Sequence, residues 1–161
     1  WDRLMADDVS SILSACSGIW DRVVVATGPI IEDMQRWADR FGVSRQALAS
    51  ADAVVGCCEP SPRGVLRFTD WGADVRDLRG DLHVVVNKVA RSRWVAAEVR
   101  GQLADVGGSF MQDIVELPFD RRVEAAEWDG KLVARGPFTK AVARVASSID
   151  SRFLVRAEAV A

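Results

Sequence analysis

The sequence contains a single histidine, His83, which excludes any metal centre or triad that needs more than one imidazole. Its three cysteines, Cys16, Cys57 and Cys58, form neither a CxxC nor a Cys/His spacing, so neither a zinc site nor a disulfide framework is expected. They read as reduced core thiols of a cytoplasmic protein. There is no GxSxG elbow, no HExxH and no GxGxxG, and the absence of GxxxxGK[ST] leaves nothing visible to wrap a triphosphate. No apolar run approaches the roughly 20 residues that span a bilayer, and no signal peptide is evident. A net charge of -2 without a Lys/Arg run gives no nucleic-acid surface. The chain starts at Trp1, directly in a helical pattern, which reads as a fragment or a trimmed chain.

What is present suits one α/β domain over residues 1–161, with a short helical tail at about 149–161. Hydrophobic residues make up 49% and charged residues 27%, enough to build a core without staples. Four apolar strands are expected, each followed by a helix. The first, with its exit loop, is Asp21 to Pro29, DRVVVATGP; the second is Ala53 to Cys58; the third is centred on Val84 to Val86 within HVVVNKV; the fourth is Asp113 to Leu117. Between them, Val9, Ile12, Leu13 and Cys16 mark one helix, stopped by Gly18. Ile30 to Phe41 marks a second, stopped by Gly42. Ser44 is expected to cap a short one, Pro62 to open another and Ser92 to cap the next. Arg121 to Trp128 and the stretch after Gly136-Pro137 complete the set, with Asp129-Gly130 as a turn. This alternation predicts βαβ units and a parallel, doubly wound sheet flanked by helices. Trp37, Trp71, Trp94 and Trp128 fall at core spacing on these helices and are expected to pack.

In such a sheet, ligands bind at the carboxyl ends of the strands. The exits here are Ala26-Thr27-Gly28-Pro29, Glu59-Pro60-Ser61, Asn87-Lys88 and Pro118-Phe119-Asp120. Asn87 carries both a donor and an acceptor, as reading a base edge requires, although Asn also serves as a turn residue. Lys88 reads equally as a surface lysine, and Asp120 as the cap of the helix at Arg121.

The order of these exits resembles the carboxyl-terminal two-thirds of a MinD/ParA-type P-loop ATPase, in particular the CpaE-like branch linked to pilus assembly and secretion. WDRVVVATGP, Trp20 to Pro29, looks like the Walker B strand. VVVNKV, ending at Asn87 and Lys88, looks like the strand whose Asn contacts adenine. LPFD, with Pro118, Phe119 and Asp120, looks like the Pro-x-Asp exit beside the base, and VEAAEWDGKLVARGPFTKAVARVA matches the closing helices. The likeness runs from about Val9 to Ala146 and rests on order and spacing, since each motif is short.

The resemblance implies a P-loop NTPase-like fold incomplete at its start. It also implies ATP as ligand, with Mg in the full-length protein, and a homodimer or a family ATPase as partner. A role in positioning or assembling a secretion, pilus or division machine would follow. Two departures count against catalysis. The deviant Walker A loop would lie before Trp1, and Ala26 stands where the family has the Walker B acid. A methyl group cannot hold a magnesium-bound water, so no hydrolysis is expected from this chain. The amphipathic tail from Ile149 is short and carries acids, which argues against membrane docking. A degenerate, non-catalytic ATPase-fold module acting through protein contacts is the alternative. An unrelated Rossmann-like binding domain lacks its glycine fingerprint here.

Overall fold

The structure is a computed structural model and describes residues 4–29, 31, 41–78, 82–90, 93–107 and 111–150. Three strands form one parallel sheet: β1 (Val55–Cys58), β2 (Leu82–Val89) and β3 (Met111–Pro118), in the order β1-β2-β3. Parallel neighbours need a crossover, and α3 (Pro62–Leu78) and α4 (Arg93–Gly107) supply the two. Ahead of the sheet lie α1 (Ala6–Ser17) and α2 (Gly42–Ser50); after it come α5 (Arg121–Trp128) and α6 (Pro137–Ile149).

The central strand explains the layering. Leu82, Val84 and Val86 alternate on one face and are all buried, packed with Val65, Phe68 and Val75 of α3 and Val99 and Leu103 of α4. Val85 points the other way, into a second cluster with Leu117 and with Ala141, Phe138 and Val145 of α6. Successive side chains of a strand face opposite sides, so a continuous Val run requires cover on both. Burying each of these side chains contributes roughly 1.5–3 kcal/mol relative to exposure. The expected α/β architecture, a parallel sheet flanked by helices, is therefore present. No described helix is long and apolar enough to cross a membrane.

Local signals act as their chemistry requires. Pro62 occupies the first position of α3, where a missing N–H costs nothing, and Ser61 Oγ accepts from the Gly64 amide at 3.0 Å. Asp8 accepts from the Met5 amide at 2.8 Å at the start of α1. Gly56 of β1 lets Phe68 and Trp71 of α3 lie directly on the sheet; a Cβ there would stand 2.6 Å from the Phe68 ring. Helix α2 begins at Gly42, two residues before Ser44, with Phe41 in the cap position, so Ser44 is not the cap. The expected helix from Ile30 to Phe41 falls mostly on residues outside those described, as does the cap Ser92.

The largest departure is the expected first strand. Asp21 to Pro29 forms no strand; Val24 is 96% exposed, with Val23 and Val25 exposed beside it. A strand exists only through the ladder it shares with a neighbour, and among the described residues no partner strand lies beside this segment. Its start is pinned instead by Arg22, whose Nη2 lies 3.0 Å from Asp150 at the end of α6. The described sheet accordingly has three strands rather than four.

The tryptophans also differ from expectation. Trp71 packs against Phe68, with ring centroids 5.6 Å apart, as a core residue should. Trp94 and Trp128 are 73% and 92% exposed. Helical spacing places them on one side of a helix, but nothing described covers that side. Trp37 lies outside the described residues. Of the cysteines only Cys58 is buried; Cys57 is exposed on the opposite face of β1, and Cys16 is half-buried.

Candidate functional site

At the carboxyl edge of the sheet, β2 and β3 leave their ladder together. Val86 pairs with Glu116 and Val89 with Pro118, so Asn87 and Lys88 together oppose the single Leu117. This is a β-bulge, the device by which strands re-aim side chains at sheet ends. Beyond it the strands rejoin, with the Phe119 amide donating to the Val89 carbonyl at 2.9 Å. Lys88 carries the bulge in the left-handed region, φ 60, and is the only non-glycine with positive φ among the described residues. Such a conformation costs an L-residue roughly 1–2 kcal/mol.

The strain invites a direct test. Lys88→Gly removes the left-handed penalty but enlarges the conformational entropy of the unfolded chain by roughly 0.5–1 kcal/mol. The first effect is the larger, so a urea melt is expected to show the variant more stable by about 0.5 kcal/mol.

A cavity of about 120 Å³ opens where the bulge meets the start of α5, lined by Asn87, Lys88, Pro118, Phe119 and Asp120 together with Glu124 and Phe138. All five residues singled out from the sequence thus line one cavity. Val123, Glu124 and Phe138 were not anticipated. Val123 and Glu124 arrive on the first turn of α5, which follows β3 directly, and Phe138 on the first turn of α6, which packs against β3. A water takes roughly 30 Å³, whereas pockets that enclose whole small ligands measure about 300–1,000 Å³. At about 120 Å³ the cavity is smaller than such pockets. A larger, shallower groove of about 410 Å³ runs between α3 and α4, lined by Pro62, Leu66, Thr69, Gln102 and Asp105 and by none of the residues of the first cavity.

Hydrogen bonding decides which groups are available to a ligand. Asn87 Oδ1 accepts from the Lys88 amide at 2.8 Å. Because a backbone N–H only donates, the side-chain oxygen must face it, leaving Nδ2 as the group on offer. Asp120 is differently committed. It caps α5 by accepting from the Arg122 amide at 3.0 Å, and the Arg122 guanidinium forks onto both carboxylate oxygens at 3.0 and 2.6 Å. The Arg122 side chain, and after it the Arg122 amide, hold Asp120 below the usual carboxylate range. Arg122 in turn lies against Gly136, whose φ of 124 belongs to glycine. Asp120 is thus a cavity wall locked by capping, the second of the two roles its sequence context allowed. Glu124, one turn into α5, makes no hydrogen bond or ion pair among the described residues.

The rest of the chemistry is quickly bounded. Among the described residues, no three His, Cys, Asp or Glu side chains gather as metal ligands. Ala26 is exposed on the segment that forms no strand. Burial, and then the neighbouring Cys57, push the Cys58 thiol up to about 11, and the partial shielding of the otherwise exposed Cys57 raises its thiol too. Neither offers a thiolate at neutral pH. Comparison with protein-family models, with curated proteins and with solved structures finds no match for this chain.

Proposed function

We propose that this chain carries the base-reading half of a nucleotide site in a cytoplasmic, MinD/ParA/CpaE-like ATP-binding protein of the doubly wound P-loop type. One observation carries the reading: two adjacent strand exits, Asn87-Lys88 and Pro118 to Asp120, converge on a single cavity at the carboxyl edge of a parallel sheet. The bulge and the left-handed Lys88 add to it, since strained backbone at a strand exit is commonly retained for a site. By resemblance, the intact protein binds ATP with magnesium and dimerises on it. It then positions or assembles a secretion, pilus or division machine. The chain itself holds a base without gripping phosphates.

Adenosine is therefore expected to bind weakly, at roughly millimolar Kd. ATP should bind no more than a few-fold differently, and no phosphate should be released. Isothermal titration of the intact chain, paired with a phosphate-release assay, tests this. Asn87→Ala should weaken adenosine about tenfold, the effect of one lost hydrogen bond in a small site. ATP turnover that depends on Asn87, or adenosine affinity indifferent to Asn87→Ala, would overturn the reading.

The second reading, a non-catalytic module working through protein contacts, is favoured by the exposed Trp128 at the end of α5, Leu132 beyond it and Phe119 on the cavity lining. It requires a chain that ignores nucleosides, so the same titration separates the two.

A further inference from the structure

The base-binding reading leaves open which acidic group reads the base, and hydrogen bonding within the cavity answers it. Two carboxylates line the cavity, Asp120 and Glu124. Asp120 is the one a sequence reading selects, yet its Oδ1 accepts from both the amide and Nε of Arg122, and its Oδ2 accepts from Nη2. A ligand amine competing for it would have to break a charge-assisted fork and uncap α5. Glu124 has no such commitment, and it sits on the same wall one helical turn further on. Opposite in chemistry is Asn87, whose Oδ1 is used by the Lys88 amide and whose Nδ2 is left to donate.

Resting on the base-binding reading above, we propose that Glu124 is the specificity-determining residue of this cavity. It accepts the exocyclic amine of an adenine-type base while Asn87 Nδ2 donates to a ring nitrogen. One acceptor and one donor in a space of about 120 Å³ match an amino-substituted purine edge, which presents a donor beside an acceptor. Asp120 shapes the wall and does not touch the base. Phe119 and Phe138 supply the apolar surface for the ring.

The test is an isothermal titration of the intact chain with adenosine and with purine riboside, which lacks the exocyclic amine. Wild-type protein, Glu124→Ala, Glu124→Gln and Asp120→Asn are compared. Glu124 is exposed on α5, so its substitution leaves the core untouched. Wild type should prefer adenosine about tenfold, the worth of a charge-assisted hydrogen bond at a partly wet site. Glu124→Ala should bind the two nucleosides equally, and Glu124→Gln, which keeps a carbonyl acceptor, should restore part of the preference. Adenosine binding whose preference survives Glu124→Ala overturns the proposal while leaving the base-binding reading intact. So does a preference abolished by Asp120→Asn instead. Failure of adenosine to bind wild type overturns both.

Discussion

Gly136→Ala should lower the stability of this protein by about 1–3 kcal/mol, the usual cost of forcing a side chain into backbone that only glycine adopts. Gly136 sits at φ 124 and ψ -176 in the cap position of α6, far from any region an L-residue occupies comfortably. A second effect adds to the first. A Cβ here would collide with the Arg122 guanidinium, the same group that forks onto Asp120. The guanidinium is the free end of a flexible side chain and moves away readily, but moving releases Asp120 from its lock. The backbone penalty therefore dominates the stability loss, and the displaced Arg122 governs the site. Thermal or urea melts of Gly136→Ala with and without Arg122→Ala separate the two, since the backbone cost persists when the arginine is gone. A variant as stable as wild type would show that the α5–α6 connection does not hold the backbone described here.

That connection also shows where sequence reasoning stopped. Strands β1, β2 and β3, the turn at Asp129-Gly130 and the starts of α3, α5 and α6 were legible because their signals are local. Val84 to Val86 can hardly be anything but a doubly buried strand, Pro62 opens a helix by its missing N–H, and Asp120 caps α5 with its own carboxylate. The carboxyl-edge rule then brought Asn87, Lys88, Pro118, Phe119 and Asp120 to one place, where the cavity is. Val23 to Val25 carries the same local signal as β2 and fails, because a ladder needs a neighbour and local sequence does not say whether one is present. Trp94 and Trp128 fail for a related reason: periodicity gives the side of the helix, not what covers it. Glu124 and Phe138 were missed because they reach the cavity only through the path of the chain from β3 to α6. The nearest available signal was the spacing of Glu124 one turn after the cap Asp120, which puts both on one face of α5. Asp120's own commitment was half legible, since Asp followed two residues later by Arg invites a cap and a fork together.

Packing at the other edge of the sheet leads to the second large effect, on the fold rather than the site. Gly56→Val is expected to cost about 2–3 kcal/mol. Two terms oppose each other. Valine suits a strand better than glycine by roughly 1 kcal/mol, through both propensity and a less floppy unfolded chain. Against this, the first added carbon alone would lie 2.6 and 2.8 Å from two atoms of the Phe68 ring and 2.7 Å from Trp71, and valine adds two methyls to it. Both rings belong to one tilted pair, with centroids 5.6 Å apart, and Phe68 is buried. A rigid ring inside a packed core cannot swing aside as the Arg122 guanidinium can, so α3 must lift from β1. Overpacking of this kind typically costs 1–3 kcal/mol and occasionally more. The steric term wins, and a denaturant melt should show it as a lower midpoint with little change in slope. The double variant Gly56→Val with Phe68→Leu gives the decisive comparison. Shrinking the ring alone is destabilising, yet in the valine background it makes room, so the pair should be more stable than the sum of the single changes by about 1 kcal/mol or more. Additive losses would mean that α3 does not rest on Gly56, and that the close helix-to-sheet contact at β1 is not what holds this edge of the domain.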